Sequence, residues 1–285
     1  TLGSGAALCS ALRRMGKTAY LFPNPETTAR YLPYVAQFFA PANFVPACVV
    51  AVDIATPNLF PQGFSGAVDL CIDHHPSNAL YAGDTLLHAE KSACGEAVLD
   101  VIELLTGRVT EQEATLLYIA VTTDTGCFRF NNTTANTLRC AAACKDTGAD
   151  TFAINTALFM TKRLPRLQLE ARLTEKMEFY AGGAVAVNTL PNALLVELGL
   201  TEDDVDDISG FSREIAGVEI GVMLREGPDG GKISLRCSPK YDAAAICARL
   251  GGGGHRGAAG ASVPEGLDAA KKAILQAIAD SGVEL

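Results

Sequence analysis

The strongest constraint on the fold is the alternation, up to about residue 160, of short apolar runs with stretches of helical periodicity. Runs of four to eight apolar residues separated by helical patterns are the mark of β-α-β units around a largely parallel sheet. Residues 18–22 read as a strand stopped by Pro23, and residues 48–53 and 67–72 read as buried strands. Residues 92–105 read as a helix ending at Gly107, and Thr110 with Glu113 forms a capping box that opens the next helix, running toward Asp124. The fold class is therefore α/β, with a mostly parallel sheet flanked by helices.

The pattern changes after this point. Residues 162–180 carry Lys, Arg, Glu and Leu without Gly and read as a connecting helix. Beyond Gly182-Gly183, a strand is expected at 184–187, and hairpin arms at 218–224 and 232–237 around the turn Gly227-Pro228-Asp229-Gly230-Gly231. Helices are expected at 242–250 and 267–280. The 285 residues thus divide into an α/β domain at 1–161, a linker helix at 162–182 and a smaller α+β domain at 183–285, at roughly 100 to 200 residues per domain.

Charge and cysteine content narrow the function. Lys and Arg total 23 against 32 Asp and Glu, a formal charge of −9. A chain without a surplus of cations does not hold long duplex nucleic acid by phosphate neutralisation, so a polyanionic ligand needs a local site. The nine cysteines show no C-x-x-C spacing and read as reduced core residues; Cys140 and Cys144 would share one helix face. No stretch reaches the ~18 to 20 apolar residues of a membrane span, and no signal peptide is visible, so a soluble cytoplasmic protein is expected. The chain opens at Thr1-Leu2-Gly3-Ser4-Gly5 without a methionine or a preceding strand, and N-terminal residues are expected to be missing.

Three of the four histidines sit in two compact motifs. Asp73-His74-His75 closes the strand at 67–72, where open α/β sheets bind ligands. Asp53 follows Val49-Val50-Ala51-Val52 and either caps the next segment or binds something positive. Asp124, in Thr122-Thr123-Asp124-Thr125-Gly126, either ends its helix or joins the same site. Together Asp53, His74, His75 and Asp124 suit a hard or borderline divalent cation such as manganese. A two-metal hydrolase needs a bridging carboxylate and further ligands, of which about half are present. The second motif, Gly251-Gly252-Gly253-Gly254-His255, offers backbone N–H groups to phosphate oxygens, with a helix expected to start at Ala258-Ala259-Gly260.

In order and spacing, Asp53, Asp73-His74-His75 and Thr123-Asp124-Thr125-Gly126 resemble motifs II, III and IV of the DHH phosphoesterases. The opening residues resemble the tail of motif I, whose His-x-x-x-Asp-x-Asp part is absent. Arg236-Cys237-Ser238 and Leu250-Gly251-Gly252-Gly253-Gly254-His255-Arg256-Gly257-Ala258-Ala259-Gly260 resemble the DHHA1 domain. The chain is similar throughout to the nanoRNase and pAp phosphatase subgroup.

This resemblance implies a phosphoesterase with two Mn2+ ions, with Mg2+ or Co2+ as alternatives, working at a cleft between two domains. Asp53 would bridge the ions, and His74 and Asp124 would complete the site of one. His75 would contact the scissile phosphate or the attacking water, and Asp73 would orient the histidines. Arg236, Gly253, Gly254 and His255 would hold a terminal phosphate or nucleotide, and Arg129 is a further candidate for substrate contact. Ser92 and Glu96 either line the cleft or cap their helix. The implied substrates are short oligoribonucleotides, giving 5′-mononucleotides, and 3′-phosphoadenosine 5′-phosphate (pAp), giving AMP and phosphate. A homodimer is compatible with the sequence. The alternatives are a linear or cyclic dinucleotide phosphodiesterase, a processive single-strand exonuclease, or an inactive nucleotide-binding protein.

Overall fold

The computed structural model describes residues 1–227 and 230–284 and resolves them into two compact units, Thr1–Thr161 and Lys162–Leu285. In the first, strands β1 (Val50–Val52), β2 (Leu70–Asp73) and β3 (Asp84–Leu87) form a parallel sheet in the order β1-β2-β3. Val50 pairs with Leu70, and Leu70 with Asp84. Helix α1 (Leu2–Arg14) packs on α4 (Glu111–Asp124) beside α3 (Cys94–Thr106), with α2 (Leu32–Val35), α5 (Ala135–Asp146) and α6 (Thr151–Asn155) around them. These helices and one sheet face bury a core that includes Leu8, Phe38, Ile72, Val98, Ile102, Leu117 and Val121.

Helix α4 is buried along most of its length, from Leu116 to Thr122, which is why its sequence is apolar on every side. Its neighbours approach closely because small residues line the contact. A Cβ at Gly95 would stand 2.9 Å from the Ala120 Cβ, and one at Gly3 would strike the Leu116 carbonyl. The capping box at Thr110 and Glu113 is present as expected, and α3 ends with Gly107 in the left-handed conformation at φ 72°. Cys140 and Cys144 are buried on one face of α5, and every cysteine is a free thiol.

The first expected strand is corrected. Residues 18–22 form no strand: only Leu21 pairs, in a single parallel bridge to Phe39, so the run lies beside one neighbouring segment rather than inside the sheet. Strand β3 was not expected: its four residues alternate between exposed and half-buried, too short and too mixed a pattern to stand out in sequence.

In the second unit, α7 (Leu164–Glu175) ends sooner than expected, and β4 (Glu178–Tyr180) occupies the end of the predicted helix. A six-stranded sheet follows in the order β4-β5-β6-β7-β9-β8, with β5 (Val185–Leu190), β6 (Ile220–Gly227), β7 (Gly230–Cys237), β8 (Gly253–His255) and β9 (Ala258–Val263). Only β5 and β6 are parallel. Helices α9 (Ala243–Ala248) and α10 (Leu267–Ala279) share a core with Val222, Ile233, Leu235 and Ala261. On the opposite face, α7, α8 (Asn192–Leu198) and the 3-10 segment Ile208–Glu214 bury Leu169, Leu173, Leu190, Ile208 and Met223. The hairpin arms are β6 and β7, with Gly227 opposite Gly230; Pro228 and Asp229 of the expected turn lie outside the described residues.

The expected helix behind the glycine run is also corrected. Residues 258–260 belong to β9, and the glycines before them form β8, the edge strand paired with it. Ala259 and Ala261 are buried while Ala258, Gly260 and Ser262 are not, a period of two that suits a strand covering a core. Among the described residues no helix is long and apolar enough to cross a membrane.

Candidate active site

The sheet of the first unit delivers the acidic and imidazole groups to one place. Asp53 follows β1 directly, with its N–H donated to the Ile72 carbonyl at 2.9 Å. Its φ of 63° is a left-handed conformation that is uncommon for residues other than glycine and turns the chain sharply at the strand end. Asp73 is the last residue of β2 and is fully buried. Its Oδ1 accepts the His74 N–H at 2.7 Å and the His75 N–H at 3.3 Å, and lies 2.7 Å from His75 Nδ1. Asn78 Nδ2 donates to its other oxygen at 2.5 Å. Asp73 therefore holds the turn of the two histidines and the ring of His75.

His74 is oriented differently. Its Nδ1 donates to the Lys91 carbonyl at 3.1 Å, which turns Nε2 toward the acidic groups. That Nε2 lies 3.3 Å from Asp53 Oδ1 and 3.7 Å from Asp124 Oδ2. One ligand atom from each of Asp53, Asp73, His74 and His75 falls within 4.8 Å of all the others, and Asp124 joins them from the C-terminal end of α4. The hydroxyl of Thr1 donates to Asp53 Oδ2 at 3.1 Å.

This cluster suits a cation. Asp53 Oδ1 and Asp124 Oδ2 are buried without a hydrogen-bond partner among the described residues, a costly state for carboxylate oxygens. Asp124 also sits at a helix C-terminus, where the helix dipole disfavours negative charge. Burial pushes its carboxyl up, and the neighbouring Asp53 charge adds to this, to about 6. Burial pulls the His74 imidazole down, but its contact with Asp53 and the charges of Asp53 and Asp124 outweigh this and hold it at about 9. Burial alone would raise the Asp53 carboxyl too, while its contact with His74 and the His74 charge work to lower it. Oxygen and imidazole donors around excess negative charge match the preferences of divalent first-row cations.

The second unit brings together a different group. Gly221, Arg236, Ala258 and His255 face one another on four adjacent strands, so their side-chain positions share one face of the sheet. Arg236 is half-buried; its Nη2 donates to Ser209 Oγ at 2.7 Å and its Nη1 to the Leu235 carbonyl at 3.1 Å. It pairs with no carboxylate among the described residues. Gly253, Gly254 and His255 are exposed. At Gly254 φ is 146°, and a Cβ would stand 2.6 Å from the Ala258 carbonyl oxygen, whereas a Cβ at Gly253 would meet nothing.

Two candidates have other engagements. Arg129 is exposed and donates Nε to the Gly126 carbonyl at 2.6 Å within its own loop. Ser92 is not the side-chain cap of α3, whose N-cap is Ala93; Ser92 and Glu96 are buried instead, and Glu96 accepts the Ser92 N–H at 3.1 Å. Lys91, Asn78 and Ser209 were not anticipated. Lys91 contributes only its backbone carbonyl, and nothing in residue type or spacing marks such a contact.

The known proteins that resemble this chain agree with these motifs. A family model for the DHHA1 domain matches residues 182–280. The bifunctional oligoribonuclease and PAP phosphatase NrnA of Thermus thermophilus is 33% identical over 281 residues, spanning 97% of this chain and 85% of that protein. The protein of the same name from Bacillus subtilis is 26% identical over 271 residues, spanning 92% of this chain and 84% of that protein. Among solved structures, an exopolyphosphatase-related protein from Bacteroides fragilis shares the fold with a TM-score of 0.87 at 20% identity, covering 98% of this chain and 88% of that one. The chain belongs to the DHH/DHHA1 phosphoesterases, in the group of the oligoribonuclease and PAP phosphatase proteins, and is a phosphoester hydrolase.

Proposed function

We propose that the chain hydrolyses short oligoribonucleotides to 5′-mononucleotides and pAp to AMP and phosphate, using divalent cations held by Asp53, His74 and Asp124. The observation that carries the cation site is the meeting of these three side chains, with two buried carboxylate oxygens that accept no hydrogen bond among the described residues and face His74 Nε2 at 3.3 and 3.7 Å. The substrates follow from the names of the relatives and suit an acidic chain whose Arg236 and His255 form a compact cationic and hydrogen-bonding patch. Manganese is the first cation to test, with magnesium and cobalt next.

Bound cations supply Lewis-acid stabilisation of charge on the phosphoryl oxygens. The chain's own residues do the rest. His74 keeps Nε2 available by donating Nδ1 to Lys91. Asp73 fixes His75 through Nδ1, so that Nε2 of His75 is the atom that meets a phosphoryl oxygen or the attacking water. In the second unit, Arg236, His255 and the exposed backbone of Gly253 and Gly254 hold a terminal phosphate or nucleotide, and Arg129 remains a further contact on the loop after Asp124.

The test is release of mononucleotide from a dinucleotide, and of phosphate from pAp, by the full chain with Mn2+, beside Asp124→Ala. Both activities are expected in the parent and neither in the variant. Equal turnover by the variant would overturn the site, and an active protein that leaves both substrates intact would overturn the substrate assignment.

A further inference from the structure

Asn132 lies in the loop that follows α4, eight residues beyond Asp124. Its Nδ2 donates one hydrogen to the Asp124 carbonyl at 3.1 Å and the other to the Ser92 carbonyl at 3.2 Å. The preceding carbonyl, that of Lys91, accepts the His74 Nδ1 hydrogen at 3.1 Å. Two consecutive carbonyls at Lys91 and Ser92 are therefore tied, one directly and one through Asn132, to His74 and Asp124.

The Lys91-Ser92 segment is itself held firmly. Ser92 donates its N–H to Glu96 Oε1 at 3.1 Å, shares a hydrogen bond with Thr137 Oγ1 at 2.6 Å, and donates its hydroxyl to the Asn132 carbonyl. Glu96 is 1% exposed and also accepts Thr137 Oγ1 at 3.0 Å and Asn136 Nδ2 at 2.7 Å. Lys91 Nζ pairs with Asp100 at 2.8 Å. The loop on the other side needs such a tie. Gly126, Cys127 and Phe128 run consecutively at φ 55°, 57° and 63°, which is strained for the two residues that are not glycine. The Asp124 carbonyl is also one of the four at the end of α4 with no partner inside the helix.

We infer that Asn132 is a positioning residue: it sets the Asp124 carboxylate against the His74 imidazole by clasping the loop after α4 to the Lys91-Ser92 segment. The inference rests on the cation site proposed above. Partners one step behind a metal ligand typically cost about 10- to 100-fold in metal affinity when removed.

The experiment is a calorimetric titration of Mn2+ into the metal-stripped full chain, its Asn132→Ala variant and its Asn136→Ala variant, with a melting curve for each. Asn136 serves the same buried glutamate but touches neither Asp124 nor Ser92, so it reports what loosening the network does by itself. Asn132→Ala is expected to bind Mn2+ about 10- to 100-fold more weakly, with Asn136→Ala close to the parent and the two variants melting alike. Parental affinity in Asn132→Ala, or an equal loss in Asn136→Ala, would overturn the positioning role while leaving the cation site standing. A parent that takes up no Mn2+ would overturn the site and the inference with it.

Discussion

In the first unit, Asp53, Asp73, His74 and Asp124 are held to within a few ångströms by main-chain turns and buried hydrogen bonds, and two carboxylate oxygens accept no hydrogen bond among the described residues. In the second, Arg236 and His255 share a sheet face, His255 from an exposed edge strand made largely of glycine. The first arrangement stores electrostatic tension that a cation relieves, and it tolerates little displacement. The second keeps its cation half-buried and its backbone bare, which leaves room for ligands of differing shape. Changes in the first unit should therefore act on turnover and metal binding, and changes in the second on substrate affinity.

The largest effect tests the first half of this contrast. Asp124→Ala should lower kcat/KM on a dinucleotide by about 10²- to 10³-fold, the scale of a lost electrostatic stabiliser. Removing one of two crowded carboxylates also removes repulsion with Asp53, so the metal-free variant should melt no lower than the metal-free parent. A variant that melts well below the parent would show that the cluster stabilises the fold rather than being held against it. Chelation of the parent should abolish activity, and Mn2+ should restore it.

Arg236→Ala should act on affinity. Loss of charge-assisted hydrogen bonds to a phosphate is worth about 1.5 to 3 kcal/mol, which predicts a KM for pAp raised about 10- to 100-fold with kcat within a few-fold of the parent. An equal fall in kcat at unchanged KM would place Arg236 in the chemical step and break the division between the units.

What could be read in advance follows the range of each interaction. The Thr110 and Glu113 capping box is contained within four residues and was legible. Asp53, Asp73, His74 and Asp124 were legible because strand ends and a helix end deliver their cargo to one edge of an α/β sheet whatever the details. Residues 258–260 were misread because the alanines favour a helix locally; pairing with β7, more than twenty residues earlier, decides for a strand. Residues 178–180 fall in the expected helix although their β5 partners at 185–187 are close in sequence, because Glu-Phe-Tyr continues the mixed charged and apolar pattern of that helix. The clasp at Asn132 and the carbonyl of Lys91 escaped because main-chain acceptors leave no mark in a sequence.

The smallest effects come from two adjacent glycines that the sequence presents as equivalent and the structure does not. At Gly254 a Cβ would press on the Ala258 carbonyl and the Ala259 Cα, at 2.6 and 2.7 Å, in a backbone conformation with φ 146°. Gly254→Ala should therefore cost about 1 to 3 kcal/mol in stability, seen as a lower melting temperature, with weaker binding as a by-product of a distorted β8. At Gly253 nothing lies within 4 Å of the added Cβ, and φ is not in the left-handed range. Gly253→Ala should leave melting unchanged within about 0.5 kcal/mol, as an exposed substitution does. Any rise in KM in that variant reports a ligand approaching the bare backbone, because the fold offers no other reason for glycine there. A KM at the parental value would restrict the second unit's role to Arg236 and His255, and with it the claim that a bare edge strand is part of the binding surface.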